Sequence, residues 1–146
     1  MTRTLPAIAT PTAPTAPATL LYDGDCGLCT VSAAWLARRA PAGRIRILPL
    51  ANAAADPTIA PLVAGRDLAR TLHLMTVDGE IVTGARAVLA AAGTVPRWGA
   101  VARLADHPVG HALLEPAYRI VAANRHRIGR AMGLPSACVV PRGRLR

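Results

Sequence analysis

A Cys-x-x-Cys pair, Cys26 and Cys29, follows directly on a short apolar run and an Asp-Gly turn, in the stretch Thr19-Leu20-Leu21-Tyr22-Asp23-Gly24-Asp25-Cys26-Gly27-Leu28-Cys29. Helical periodicity begins at the pair, with Leu28, Val31, Trp35 and Leu36 on one face. This order of strand, turn, dithiol and helix restricts the fold more than any other feature of the chain. Two intervening residues let both sulfurs share one helical turn, close enough to bridge. The first sulfur then lies at the helix N-terminus, where free backbone N–H groups and the macrodipole favour a thiolate. The thiolate is the attacking species in disulfide exchange, so the placement is that of a redox pair.

The rest of the chain is arranged around this stretch. Residues 1–18 form a Thr/Pro/Ala tract that is expected to be disordered. Residues 19–22 read as a buried strand. Residues 27–39 read as a helix, with Arg38 and Arg39 in its last turn and Pro41 and Gly43 stopping it. Residues 44–48 alternate with period two, and the arginines at 44 and 46 place one face of that strand in solvent or near an edge. Residues 51–71, interrupted by Pro61 and Gly65, are expected to hold one or two short helices. Residues 72–77, the Asp78-Gly79 turn and residues 80–83 form a hairpin, because Asp-Gly tolerates the positive φ of tight turns. A helix over 85–92 closes at Gly93, and further helical pieces start at Pro96, Pro108 and Pro116. The order β-α-β, helix, β-β-α is that of a thioredoxin-like α/β fold, to which Cys-x-x-Cys beside a βαβ pattern also points. Residues 19–133 would be one domain with a C-terminal helical extension over 94–133, and residues 134–146 a flexible Arg-rich tail.

A chain of 146 residues, 52% of them hydrophobic, is enough for one domain with a real core and too short for two. With no Phe, that core must be built from Leu, Val, Ile and Ala. All seventeen basic residues are Arg, and the net charge of +9 predicts attraction to acidic partners or anionic surfaces. No nucleic-acid motif accompanies the late basic helix (Arg119, Arg125, Arg127, Arg130), and aromatics at 3% offer little to stack on bases. That face reads as solvated, with no specific nucleic-acid partner. Pro, Gly and Arg break every apolar run well short of about 18 residues, so no membrane span is expected. Pro6, Pro11, Pro14 and Pro17 likewise break up any signal-peptide core. Three cysteines do not make a stapled secreted scaffold, and the expected compartment is a reducing cytoplasm, where such a pair is catalytic or metal-binding.

Cys26 is the candidate nucleophile and Cys29 the resolving thiol, with Tyr22, Asp23, Gly24 and Asp25 as supporting residues. No cofactor beyond the pair and no metal is expected, and the partners would be protein or small-molecule thiols and disulfides. The charges of Asp23 and Asp25 oppose a thiolate. Asp25 is the expected N-cap of the helix; Asp23 either relays the proton of Cys29 or fixes the turn. Three other readings share these residues. A strand ending in Asp-x-Asp also opens haloacid-dehalogenase-type phosphatases, but those need a downstream basic residue, usually Lys, and further carboxylates for Mg²⁺, and this chain has no Lys. A zinc site would take Cys26 and Cys29 with Cys138, or with His107 and His111, yet lacks a second compact pair. His73, alternating with Leu, reads as a strand-face residue, and His126, among arginines, as solvated. A non-catalytic binding or adaptor domain would keep the dithiol for structure.

The signature Tyr22-Asp23-Gly24-x-Cys26-x-x-Cys29 resembles that of the DCC-type thiol-disulfide oxidoreductase-like proteins, long catalogued as a domain of unknown function. The likeness continues through Leu72 to Gly84, at Ala87, at Tyr118-Arg119-x-x-Ala122 and at Asn124-Arg125, and spans about residues 20–133. It implies a thioredoxin-like fold and a protein-disulfide reductase activity, and it singles out Asn124 and Arg125 for an inward structural role. Arg86 departs from the acidic residue that the family often carries there. Thioredoxins proper place a cis-proline just before the third strand to hold a substrate strand. Here Thr71-Leu72 stands at that point, so a substrate would be held differently or would be a small thiol.

Overall fold

A computed structural model describes residues 17–134. The sheet is built outward from β1 (Ala18–Tyr22), whose five residues are all buried. A strand buried on both faces needs such a run of Ala-Thr-Leu-Leu-Tyr without strict polar alternation. On one side β2 (Ile45–Pro49) pairs with it in parallel; on the other β3 (His73–Met75) pairs antiparallel and carries β4 (Ile81–Thr83) beyond it. The order β2-β1-β3-β4 gives a four-stranded mixed sheet. The parallel pair requires a crossover, which α1 (Gly27–Arg39) supplies. This is the mixed α/β arrangement expected of a thioredoxin-like chain.

Successive side chains of β1 enter different cores. Leu20 stands level with Leu74 and Val82 across three strands, and packs with Leu36 of α1 and with Ala87 and Ala91. Leu21 points to the opposite face and meets Ala53, Ile59, Val63 and Met75. Each leucine contributes about 1.5–3 kcal/mol by its burial. The second face is roofed by residues 50–68, with a 3₁₀ turn at Leu50–Asn52 and the short helix α2 (Ala60–Val63). Asp56 holds that roof in place. It is paired with exposed Arg46 on the edge strand β2, and it accepts the N–H groups of Thr58 and Ile59. The edge position read from Arg44 and Arg46 is therefore the observed one.

The helix α3 (Gly84–Gly93) follows β4 and closes the β-β-α unit, and the C-terminal extension comprises α4 (Gly99–Asp106) and α5 (Pro108–Ala131). Arg97 has a φ of 74°, so the chain turns after Pro96 and the helix expected there starts at Gly99. The larger correction concerns Pro116, which was expected to start a helix and instead lies inside α5. An interior proline forfeits one backbone bond and costs about 3 kcal/mol. The helix runs through it because residues on both sides are anchored to the rest of the domain. Glu115 bonds to Ala85, Tyr118 to Leu72 and Arg125 to Asp23. No described helix is long and apolar enough to cross a membrane. Of the expected tails at 1–18 and 134–146, residues 1–16 and 135–146, Cys138 among them, lie outside the described residues, while Ala18 is the first residue of β1.

Gly84 shows how tightly α3 and α5 meet. Its φ is +65°, and a Cβ there would stand 2.7 Å from Glu115 Oε2. That carboxylate accepts the Ala85 N–H at 3.1 Å and places negative charge on the N-terminus of α3. Gly84→Ala should destabilise the domain by about 2–3 kcal/mol, from a left-handed backbone costing about 1–2 kcal/mol and a displaced hydrogen bond worth about 1. Urea unfolding measures it; a loss below about 0.5 kcal/mol would mean that the contact is easily relieved.

Candidate active site

The turn after β1 delivers the pair. Asp23 Oδ1 accepts the N–H of Asp25 at 2.9 Å, the Asp23 carbonyl accepts the N–H of Cys26 at 3.3 Å, and Thr30 Oγ1 donates to the Gly24 carbonyl at 3.3 Å. So closed a turn brings Cys26, not Asp25, to the N-cap of α1. Its backbone is extended there (φ −99°, ψ 112°), and its Sγ accepts the Cys29 N–H at 3.4 Å. Asp25 was the expected cap; instead it is exposed, with its own N–H held by Asp23. The side-chain-to-backbone turn of Asp23 is what shifts the cap by one residue.

Cys26 and Cys29 are free and approach to 3.0 Å. Charge and access are divided between them. Cys26 receives the Cys29 N–H at the positive end of the helix. It is also wholly buried, at 0% exposure. Beside it Gly27 lies under the end of the described chain, where a Cβ would come within 2.8 Å of the Leu134 carbonyl oxygen. Cys29 is only partly buried and stands in the wall of a cavity of about 640 Å³. Its thiol is pushed up to about 12, first by burial, then by its hydrogen bond to Cys26 and the charge of that sulfur; Arg125 pulls the other way and Asp23 adds a little. At neutral pH Cys29 therefore keeps its proton.

This has a direct pH consequence. Site-resolved alkylation of Cys29 should rise about tenfold per pH unit from pH 7 to 10, because the thiolate fraction grows that way below the pKa. An ordinary thiol levels off above about pH 9. A plateau near pH 9 would show that Cys29 is not held as a thiol.

Asp23 is fixed at both oxygens. Besides the turn, its Oδ2 accepts from Arg125 Nη2 at 2.9 Å, and the same guanidinium nitrogen donates to the Ala69 carbonyl at 2.6 Å. Both side chains are largely out of solvent, at 14% exposure for Arg125 and 18% for Asp23. The inward role implied for Arg125 is thus observed, whereas Asn124 bonds to the Ile120 carbonyl within its own helix. Tyr22 is buried and lines the same cavity as Cys29. His126, half-exposed, lies 3.8 Å from Asp23 Oδ2. His73 is buried in β3 with its Nε2 3.2 Å from Thr71 Oγ1. His107 caps α5, and His111 sits 3.9 Å from Glu115. Among the described residues, no group of three His, Cys, Asp or Glu side chains is placed to hold a metal ion.

Tyr118 and Arg125 reach the site from α5; the resemblance names both and, of the two, implies an inward role for Arg125 alone. Standing about two helical turns apart, they share one face. The Tyr118 hydroxyl accepts the Leu72 N–H at 2.7 Å, and burial raises its pKa.

Taken together, a sheet of this order with a free Cys-x-x-Cys at the mouth of its first helix defines a thioredoxin-like thiol–disulfide oxidoreductase. More specifically, the chain belongs to the DCC1-like thiol-disulfide oxidoreductase family, which it matches over residues 20–131, from β1 to the end of α5. No curated protein and no solved structure matches it.

Proposed function

We propose that this chain exchanges disulfides directly between the Cys26–Cys29 pair and a bound thiol or disulfide, with no other cofactor, in a reducing compartment. The observation that carries the reading is the approach of the two sulfurs to 3.0 Å at the start of α1, with the Cys29 N–H directed at Cys26. Cys26 is the sulfur at the N-terminus of α1, and it opens and closes the internal bond. Cys29 holds a proton when the pair is reduced and forms the other half of that bond. Exchange of this kind needs only sulfur, a proton acceptor and access.

The reductase direction follows if the pair passes electrons to a disulfide faster than it is reoxidised. Turnover of bis(2-hydroxyethyl) disulfide by the full chain, with dithiothreitol as donor, tests this. The reading expects a rate well above that of dithiothreitol alone and intact-mass detection of the internal disulfide. A rate no higher than the donor's own would overturn it.

A further inference from the structure

The cavity beside the pair lies between α1, α3 and α5, and its volume of about 640 Å³ is that of a small-molecule site. Leu20, Tyr22 and Leu72 form part of its floor, and Trp35, Leu89 and Trp98 part of its walls. Cys29 stands in the lining and Cys26 does not. Several of the polar groups that reach it are engaged with the protein itself. The Tyr118 hydroxyl holds the Leu72 N–H, Arg125 holds Asp23 and the Ala69 carbonyl, and Thr71 Oγ1 lies 3.2 Å from His73 Nε2. Most of the lining is apolar, so a ligand with a charged body would lose its hydration against it, whereas an apolar body would be stabilised.

The backbone next to the pair points the same way. An extended peptide adds to a sheet through free N–H and C=O groups. At Leu72, just ahead of β3, the N–H is bonded to Tyr118 and the carbonyl accepts the Gly84 N–H at 3.1 Å. We infer that the substrate of this site is a small thiol or disulfide carried on an uncharged alkyl or aryl body, seated in the cavity, and that its sulfur bonds to Cys29. This deepens the exchange reading above and rests on it.

The step balances within the pair. A substrate thiolate attacks Cys29 Sγ of the oxidised pair; the Cys26–Cys29 bond breaks and Cys26 leaves as a thiolate beside the Cys29 N–H. A second substrate thiolate attacks the substrate sulfur of the mixed disulfide, releasing substrate disulfide and Cys29, which takes up a proton. Two electrons pass from the substrate sulfurs to the pair, whose own disulfide is the oxidant. Run in reverse, Cys29 first gives up its proton to water, its thiolate attacks a bound disulfide and releases one substrate thiolate, and Cys26 then closes the internal bond on Cys29 and releases the other.

Methanethiosulfonates of different body test this. In the full chain carrying Cys26→Ser and Cys138→Ser, butyl methanethiosulfonate should modify Cys29 at least about tenfold faster than the 2-sulfonatoethyl reagent, each rate divided by that for free 2-mercaptoethanol. The net charge of +9 favours the anionic reagent, so this preference runs against bulk electrostatics. Cys26, left alone by Cys29→Ser and Cys138→Ser, should react at least about tenfold more slowly than Cys29 with either reagent. In the unmutated oxidised chain, 1-butanethiol should open the pair about tenfold faster, per thiolate, than 2-mercaptoethanol, a comparison that needs no variant to fold. Equal normalised rates, or faster labelling of Cys26, would overturn the inference. If the unmutated pair still turns over bis(2-hydroxyethyl) disulfide, only the substrate class falls; if it exchanges with nothing, the exchange reading falls with it.

Discussion

Serine in place of Cys29 should lower disulfide turnover by about a thousandfold or more, and serine in place of Cys26 should do the same. Neither variant can close the internal bond, and residues that act as one unit fail together. What each leaves behind should differ. Cys26 is buried at the helix N-terminus and Cys29 faces the cavity. Cys26→Ser should therefore accumulate substrate as a mixed disulfide on Cys29, because the sulfur that would release it is gone. Cys29→Ser should accumulate little, because the remaining sulfur is out of reach. Turnover of bis(2-hydroxyethyl) disulfide and intact mass report the two outcomes separately. Residual turnover above about a tenth of the unmutated rate would mean that the pair does not act as a unit.

The second large effect should come from Arg125→Met. Among the described residues, its guanidinium is the one cation within hydrogen-bond reach of Asp23, at 2.9 Å, and both side chains are mostly shielded from solvent. Removing one partner of a buried pair typically costs about 3–5 kcal/mol, because the other charge stays behind. Partial exposure screens the carboxylate, so about 2–3 kcal/mol is expected here. The change also removes the bond to the Ala69 carbonyl, which ties α5 to the segment leading into β3. Asp23→Asn in the Arg125→Met background should recover part of the loss by taking away the stranded charge. Cys29 should respond as well: Arg125 is the group that draws its pKa down, so without it Cys29 should alkylate more slowly at a given pH. Urea midpoints of the single and double variants measure the coupling. A cost below about 0.5 kcal/mol for Arg125→Met would show that the pair is solvated in practice.

Much of the sheet could be read before the structure, for reasons that lie in particular residues. Ala18 to Tyr22 carries no charge and is followed by turn chemistry, so β1 was legible as a buried strand, within one residue of its start. Arg44 and Arg46 marked β2 as the edge, and Asp78-Gly79 marked the hairpin. The helix α1 was read to its observed limits, because periodicity, basic last turn and Pro41 agree. The site was harder. Cys26 and Cys29 were named, yet which of them caps the helix depended on the Asp23 turn, a local hydrogen-bond choice that residue type alone does not decide. Pro116 was misread for a related reason. Proline is a strong local signal, and the contacts that overrule it come from Ala85, Leu72 and Asp23, between about thirty and about a hundred residues away in the chain. Burial of Cys26 and access at Cys29 follow from the packing of α5 and the placement of Leu134, which no short-range pattern reports.

The central claim is that the two sulfurs interconvert as one couple. The direct measurement is equilibration of the full chain in glutathione buffers of graded potential, followed by acid quench, alkylation and site-resolved mass analysis of Cys26 and Cys29. The account predicts that the two sites lose and regain alkylation together, along a single two-electron curve with a slope of about 30 mV per decade. Both sites staying alkylatable at every potential, or Cys29 ending as a stable glutathione adduct while Cys26 stays free, would contradict it.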